Sequence, residues 1–502
     1  MTAPVADTLY GKVRGAEADG VKIWRGIPFA APPVGQLRFR APQAPEPWAS
    51  VREALSFGPV SHQPVSTGGT RFGGLSPVYS EDCLYLNVWS PASAGESLPV
   101  MVWIHGGTFV TGAGSQPMFD GTHIARRGKV VLVTVNYRLG PFGFLHLSPF
   151  GGGLASNAGL LDQIAALEWV QGNIAAFGGD PRRVTVFGES AGSMSIAALL
   201  AMPAAKGLFA GAIMESGAAQ SLPSRQGREI AAALLAELGL APGADLTLLH
   251  TLPAEQILGA AARMAYKLSG EALSMFFQPV VEPATLPEEP AGAVAGGAAS
   301  GIPLLIGTNL HEGSLFFREE RQGESFEQSL KSLELLMGID DLAGLAGDYP
   351  KSWAGQAAFL TDLYFWGSSI AFAESQSAAA PVWMYRFDWT VPGHPLLEKA
   401  VHGAEILYVF GNLDLLKQLG LTVTPEMQQL SGWMLKTWTA FAHRGDPSLD
   451  SLEWPQYSAD TRATLVFDGE TRVVLDPDAE KRRRLFSASS NWPKAFSAGA
   501  RD

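Results

Sequence analysis

The sequence predicts an α/β fold, in which a large, mainly parallel sheet carries helices on both faces. Apolar, β-branched segments of strand length alternate with longer segments whose apolar residues recur at helical spacing. The 502 residues are 47% hydrophobic and 17% charged, a composition that can fill a large core. No internal repeat is apparent, and we expect residues 1–502 to form one domain.

The chain is expected to begin with antiparallel strands at Leu9–Arg14 and Val21–Ile27, because a turn-like cluster separates the two segments. A helix is expected at Gly159–Ala176, where the apolar positions have helical spacing, and another at Ser190–Met202, which is rich in Ala, Leu and Met. The remaining strands are expected at Leu84–Trp89, Val100–Ile104, Val130–Tyr137, Val184–Phe187, Ile213–Ser216, Leu304–Gly307 and Val382–Phe387.

Two regions, at about residues 221–275 and 315–380, are rich in Ala and Leu and are expected to be mostly helical insertions. In sheets of this kind, ligand pockets form outside the carboxyl ends of the strands. We therefore expect both insertions to lie above that edge and to wall a substrate pocket.

Charge and cysteine content restrict the partners and the compartment. With 36 basic and 48 acidic residues the formal net charge is −12, which disfavours nucleic acid and anionic lipid as partners. Cys83 is the single cysteine, so no intrachain disulfide can form. The first residues lack the features of a signal peptide, and no apolar run approaches the roughly 18 residues that span a bilayer. We expect a cytoplasmic monomer or homodimer without a membrane span.

The segment Gly188-Glu189-Ser190-Ala191-Gly192 connects a predicted buried strand to a predicted helix. A serine in such a sharp strand-to-helix turn is exposed at the top of the sheet, and its neighbours must be small. The amides at the start of the helix favour negative charge nearby. The pattern predicts that Ser190 is a nucleophile that attacks acyl carbons. An ordinary glycine-rich turn is the structural alternative.

A serine nucleophile needs a histidine base, and the expected chain order is serine, acid, histidine. The histidines downstream of Ser190 are His250, His311, His394, His402 and His443. His402 is favoured because it lies in a loop beside a glycine, a setting that suits a side chain projecting into a cleft. The residues alone leave His394 open as an alternative.

Glu312 is the favoured acid, because it follows directly after the predicted strand that ends at Gly307. Asp362, Asp388 and Glu405 are competitors. His311 and Glu312 resemble half of a zinc motif, but no histidine follows four residues after His311, so we expect no metal.

The segment Trp103–Phe109, which contains His105-Gly106-Gly107, follows another predicted strand. Acyl transfer requires backbone amides that face the developing oxyanion, and a His-Gly-Gly loop commonly supplies them. We expect the amides of Gly107 and Thr108, together with that of Ala191, to form this oxyanion hole.

These motifs together resemble the type-B carboxylesterase family of the α/β-hydrolase fold, which includes the cholinesterases. The likeness spans nearly the whole chain. The segments that carry it are Arg25–Ala30, Pro32–Gly35, Glu81–Val88, Asn136–Arg138, Gly159–Gln163, Phe187–Gly192, Gly307–Asn309 with Glu312-Gly313, and His402-Gly403 with Phe410-Gly411. It is strongest toward bacterial carboxylesterases of the para-nitrobenzyl esterase type.

The resemblance implies a triad of Ser190, Glu312 and His402, which separates His402 from His394. It implies the oxyanion hole already described. It also implies two buried ion pairs, Arg38–Glu81 and Arg138–Asp162, and a supporting role for Ser216 beside the acid.

Departures from the family pattern bear on the substrate. Cys83 has no partner for the disulfide of the cholinesterases, and the loop Gly68–Ser80 lacks the tryptophan that binds a choline cation. The resemblance places Leu273, Met275 and Phe277 along the acyl pocket, which would then be apolar and adaptable.

We therefore expect a serine carboxylesterase that acts without a cofactor on small to medium uncharged esters, including aryl or benzyl esters. The alternatives are an amidase or carbamate hydrolase, a lipase, and a non-catalytic binding module.

Overall fold

The computed structural model describes residues 3–64, 77–93, 95–240, 243–269, 275–317 and 342–487, and also residues 327, 330, 331 and 334. Its strands are β1 Val5–Thr8, β2 Gly11–Arg14, β3 Ala16–Ala18, β4 Val21–Pro28, β5 Arg52–Glu53, β6 Tyr85–Ser90, β7 Leu98–Ile104, β8 Val131–Val135, β9 Gly179–Glu189, β10 Gly211–Glu215, β11 Leu304–Asn309, β12 Val382–Phe387, β13 Ala463–Phe467 and β14 Arg472–Leu475.

The α-helices of the described residues are α1 Thr122–Gly128, α2 Gly140–Phe144, α3 Ala158–Asn173, α4 Ala191–Ala201, α5 Ser224–Glu237, α6 Ala254–Ser269, α7 Pro290–Ala295, α8 Ala343–Ala346, α9 Trp353–Leu360, α10 Ser368–Ser377, α11 Ile406–Phe410, α12 Pro425–Arg444 and α13 Ala479–Ser487. A π-helical segment, Thr361–Gly367, joins α9 to α10. No helix in these ranges is both long enough and apolar enough to cross a membrane.

The central sheet of the described residues has 11 strands in the order β14-β13-β12-β11-β10-β9-β7-β8-β6-β4-β3. The run from β13 to β8 is parallel, and the remaining pairs at both ends are antiparallel. A small separate sheet is formed by β1, β2 and β5. The mainly parallel sheet with helical layers confirms the predicted fold class.

Each face of the sheet has its own hydrophobic core, because successive side chains of a strand point to opposite faces. Val102 and Val186 contribute to one cluster, and Trp103 and Phe187 to the other. Trp103 packs edge-on against Phe187 with ring centroids 4.8 Å apart. The strands that lead to the candidate site are therefore fixed from both sides.

The two ion pairs that the resemblance implied tie loops to this framework; Arg138–Asp162 is buried and Arg38–Glu81 is partly buried. The guanidinium of Arg138 donates to both carboxylate oxygens of Asp162, at 2.8 and 2.7 Å. Arg38 Nε donates to Glu81 at 2.6 Å. Arg38 also donates to the backbone carbonyls of Leu249 and Leu252, so this pair anchors the first helical insertion.

The observed elements differ from the predicted ones in detail. Leu9 lies in the turn of the β1–β2 hairpin, because Thr8 pairs with Gly11. The first insertion contains α5 and α6, and its last residues, 270–274, lie outside the described residues. The second region ends in α10, which packs directly on β11 and β12. The loop Gly68–Ser80 is described only from residue 77.

Candidate active site

Four neighbouring strands, in the spatial order β11, β10, β9 and β7, end at one edge of the sheet. Each is followed by a residue or loop that the sequence singled out. These are Glu312, Ser216, Ser190 and the loop 106–108, respectively. The parallel strands therefore gather residues that are far apart in the chain at one point, which is where this architecture places its sites.

Ser190 lies between β9 and α4 with φ 57° and ψ −121°, a region that non-glycine residues rarely adopt. Its backbone N–H donates to the carbonyl of Glu215 at 2.9 Å, which holds the turn against β10. A Cβ atom at Gly188 would lie 2.5 Å from the carbonyl oxygen of Ile104, and one at Gly192 only 1.9 Å from it. Glycine is therefore required on both sides of the serine.

His402 and Glu312 form a direct hydrogen bond. Nδ1 of His402 lies 2.6 Å from Oε2 of Glu312, whose side chain is fully buried. The other carboxylate oxygen accepts the backbone N–H of Asn309 at 2.6 Å, which fixes the carboxylate. A carboxylate on Nδ1 sets the tautomer of the imidazole and leaves Nε2 to exchange a proton.

Glu189 occupies the opposite side of the imidazole. Its Oε1 lies 3.1 Å from Nε2 of His402. Burial lowers the pKa of His402, but the charges of Glu189 and Glu312 outweigh this effect and raise the pKa to about 9. Burial raises the pKa of Glu189 to about 7. No sequence pattern assigned a role to Glu189, although its position beside the serine was a signal.

Ser216 contacts Glu405, and its support of the acid Glu312 stays a prediction. Its Oγ donates to Oε1 of Glu405 at 3.2 Å. The backbone of Ser216 has φ 54°, and its N–H donates to the carbonyl of Gly307. Asn309 connects the two carboxylates, because its side-chain amide donates to Glu405 while its backbone N–H donates to Glu312.

Burial raises the pKa of Glu405 to about 8, with Glu189 and Glu312 adding to the effect. It also raises the pKa of Glu215 well above its ordinary value. Four carboxyl groups, those of Glu189, Glu215, Glu312 and Glu405, are thus buried around one end of the sheet. Burial and mutual repulsion thus favour the protonated, neutral forms of Glu215 and Glu405.

The other candidates from the sequence are engaged elsewhere. Asp362 pairs with Lys481 at 2.9 Å and accepts the hydroxyl of Tyr349. Asp388 pairs with Arg386 at 2.7 Å. Nε2 of His394 lies 3.2 Å from the carbonyl of Leu419.

The loop 106–108 packs closely against the turn that contains Ser190. A Cβ atom at Gly106 would lie 3.0 Å from Cβ of Ser190 and 2.7 Å from Oε2 of Glu189. The backbone N–H groups of Gly107, Thr108 and Ala191 donate to no acceptor within the described parts of the chain. Free amides beside a serine are what an oxyanion requires.

The expected acyl pocket is described in part. Met275 and Phe277 are 8% and 5% exposed, and Leu273 lies outside the described residues. The hydroxyl of Tyr364 lies 3.3 Å from the sulfur of Met275 and 3.7 Å from that of Met194. Met194 is one turn beyond Ser190 in α4, so Tyr364 bridges Met275 to the helix that begins at the serine.

Two aromatic rings flank His402, and sequence reasoning did not assign either to the site. The ring of Phe365 lies 4.7 Å from the imidazole and that of Phe316 lies 5.3 Å from it, between centroids. Phe365 belongs to the π-helical segment, a rare conformation that often occurs at functional sites. These apolar faces limit the access of water to the histidine.

The fold and the site together define a hydrolase of the α/β class with a serine at a strand-to-helix turn. The chain belongs to the carboxylesterase family, whose model matches residues 2–484. Family membership confirms the resemblance predicted from the sequence and makes the protein a carboxylic ester hydrolase.

Individual relatives agree over almost the full length. The para-nitrobenzyl esterase of Bacillus subtilis (strain 168) is 51% identical over 97% of this chain and 99% of its own. A solved structure of a thermophilic PNB esterase superimposes with a TM-score of 0.92 at 50% identity, covering 97% of this chain and 100% of the other. A carboxylesterase of Geobacillus stearothermophilus gives a TM-score of 0.83 at 39% identity, covering 96% and 99%.

Proposed function

We propose that Ser190 forms an acyl-enzyme with carboxylic esters, with His402 as base and Glu312 as the acid of the triad. The observation that carries this proposal is the 2.6 Å hydrogen bond between Nδ1 of His402 and Glu312, beside a serine in a strained turn. Strained backbone of this kind persists where the surrounding structure enforces it, and it concentrates at functional sites.

In the proposed reaction, Nε2 of His402 takes the proton of Ser190 as Oγ attacks the ester carbonyl carbon. The imidazolium that forms is stabilised by Glu312 through Nδ1. The tetrahedral intermediate then collapses, the bond to the alcohol oxygen breaks, and His402 returns the proton to that oxygen. Water repeats these steps on the acyl-enzyme and releases the carboxylic acid.

The negative oxygen of the tetrahedral intermediate is held by the N–H groups of Gly107, Thr108 and Ala191. Their freedom from acceptors in the described chain supports this role. Donors fixed in advance need no reorganisation during reaction, and the loss of one such donor costs about 10²–10³ in kcat.

We infer that the substrates are small to medium uncharged esters, including aryl or benzyl esters. Met275 and Phe277 would give an apolar acyl pocket, and the methionine can adapt to different shapes. The name of the para-nitrobenzyl esterase from Bacillus subtilis points to the same substrate class.

An ester panel, measured beside Ser190→Ala as the blank, tests the proposal. A short aryl ester is expected to react fastest, ahead of a choline ester, a long-chain triglyceride and an aryl amide. A choline preference would overturn the substrate assignment. Activation above the solubility limit of the triglyceride would indicate a lipase, and faster amide cleavage would indicate an amidase.

The compartment and the assembly state stay predictions. The cytoplasmic location expected from the sequence is supported by Cys83, which is buried without a disulfide partner. Light scattering of the purified protein would distinguish the monomer from the homodimer.

A further inference from the structure

We propose that the side-chain hydroxyl of Thr108 positions and polarises the peptide group that serves the oxyanion hole. The proposal rests on the proposed function, in which the backbone N–H of Thr108 contacts the oxyanion. It assigns a separate task to the side chain of the same residue. That task is to hold the Gly107 carbonyl, which belongs to the same peptide group.

The carbonyl oxygen of Gly107 is surrounded by hydrogen-bond donors. The hydroxyl of Thr108 donates to it at 2.7 Å and that of Thr111 at 3.1 Å. The backbone N–H groups of Val110 and Thr111 donate to it at 3.1 and 2.9 Å. A carbonyl oxygen has two lone pairs, so four donors saturate it.

Planarity of the peptide bond transmits this anchoring to the opposite side. The carbonyl of Gly107 and the N–H of Thr108 belong to one trans peptide group, in which they point in opposite directions. Fixing the oxygen therefore fixes the direction of the N–H. Hydrogen bonds accepted by a carbonyl also polarise its peptide group, which makes the N–H a stronger donor.

The backbone of the loop explains why the anchoring matters. Thr108 has φ 55°, in the left-handed region, which is unfavourable for a β-branched residue. A Cβ atom at Gly107 would lie 2.2 Å from the carbonyl oxygen of Thr111, so the turn is tight. The hydroxyl bond offsets part of the strain at Thr108 and opposes rotation of the peptide group away from the serine.

Thr108→Val is the direct test, because valine keeps the shape and the β-branch and removes only the hydroxyl. We expect kcat to fall about three- to tenfold. This loss is smaller than that caused by removing an oxyanion-hole donor, because the N–H of Thr108 is still present. KM should change less than about twofold, because the effect acts on the transition state. Thr108→Ser, which restores the hydroxyl, should recover most of the lost kcat.

A transition-state analogue separates this effect from a general loss of structure. A trifluoromethyl ketone forms a tetrahedral adduct whose oxyanion occupies the hole, so its Ki should rise by the same factor as kcat falls. Thr111→Val removes a second donor to the same carbonyl and should act in the same direction. Thr251→Val is the matched control, since it removes a hydroxyl bond to the carbonyl of Leu248 at a distant exposed site.

Each outcome decides the question. The inference would be overturned if Thr108→Val had the same kcat and the same Ki as the unaltered enzyme. It would also be overturned if Thr108→Ser lost as much kcat as Thr108→Val. If Thr108→Val does not fold, the kcat and the Ki of Thr111→Val decide in the same way. Full activity of Ser190→Ala would instead overturn the proposed function itself.

Discussion

At the scale of single residues, the histidine of the candidate site lies between two carboxylates. Glu312 is bound to Nδ1 of His402, and Glu189 lies 3.1 Å from Nε2. The pKa of the imidazole is raised to about 9, so the protonated form dominates at neutral pH. Only the neutral form can accept the serine proton, and we expect kcat/KM to rise with pH toward about 9.

Glu189→Gln tests this electrostatic account. The variant removes one negative neighbour of the imidazolium, so the pKa of His402 should fall toward its ordinary value. The rising limb of the kcat/KM profile should then move to lower pH. Measurement of kcat/KM from pH 5 to 10 on a neutral aryl ester checks this. If the rising limb of the kcat/KM profile did not move, the electrostatic account would be contradicted. Glu168→Gln, on the exposed side of α3, is the matched control.

Sequence patterns predicted the residues that belong to local motifs. Ser190 was predicted from its strand-to-helix turn, and Glu312 from its position after a strand. The residues alone could not show whether His402 or His394 is the base, so the resemblance to a family was needed for that choice. The contacts of Glu189 with His402 and of Ser216 with Glu405 depend on side-chain directions across strands, which no local pattern contains.

At the scale of secondary-structure elements, the serine turn depends on its two glycines. They allow the turn between β9 and α4 to press against the end of β7, at the carbonyl of Ile104. The closeness of these elements determines where Ser190 lies relative to the loop 106–108.

Gly192→Ala is expected to disrupt this arrangement. The added Cβ would lie 1.9 Å from the carbonyl oxygen of Ile104, so the start of α4 must move. We expect kcat to fall by at least about 100-fold, because displacements of about 1 Å can have this effect. Overpacking should also lower the free energy of unfolding by about 1–3 kcal/mol.

Kinetics with an aryl ester and thermal unfolding together check the Gly192→Ala prediction. Gly259→Ala, within α6, is the control, since its Cβ would meet only the far end of Arg263 at 3.5 Å. It should leave kcat unchanged. Activity of Gly192→Ala within a few fold of the unaltered enzyme would show that the turn tolerates a side chain.

The parallel strands were easier to predict from the sequence than the carboxyl-terminal elements. Buried parallel strands are continuous apolar runs, which made segments such as Val100–Ile104 easy to find. The end of helix α12 near His443 was recognised, but its start was not assigned, although Thr424 caps the helix, Pro425 begins it and Gly445 ends it. Strand β14 is short and lies at the edge of the sheet, where half-exposed residues give a weak pattern.

At the scale of the whole molecule, a buried ion pair ties loops to helix α3. The side chains of Arg138 and Asp162 are 3% and 0% exposed. Arg138 also donates to the carbonyl of Arg40, which connects the amino-terminal loop to this pair. The fold thus depends on a charged contact within its interior.

Asp162→Asn is expected to destabilise the protein strongly. The variant leaves the Arg138 guanidinium buried without a countercharge, which costs about 3–5 kcal/mol. Urea unfolding measures the loss. Glu229→Gln breaks the exposed pair of Glu229 with Arg225 and should change stability little. Similar stabilities for the two variants would contradict the importance of the buried pair.

The central claim is that Ser190 attacks the acyl carbon, and covalent labelling tests it most directly. The protein is treated with an organophosphate, and the adduct is located by peptide mass spectrometry while activity is followed. We predict one adduct on Ser190, loss of activity in proportion to labelling, and no adduct in Ser190→Ala. An adduct on another residue, or full activity of a protein labelled at Ser190, would contradict the account.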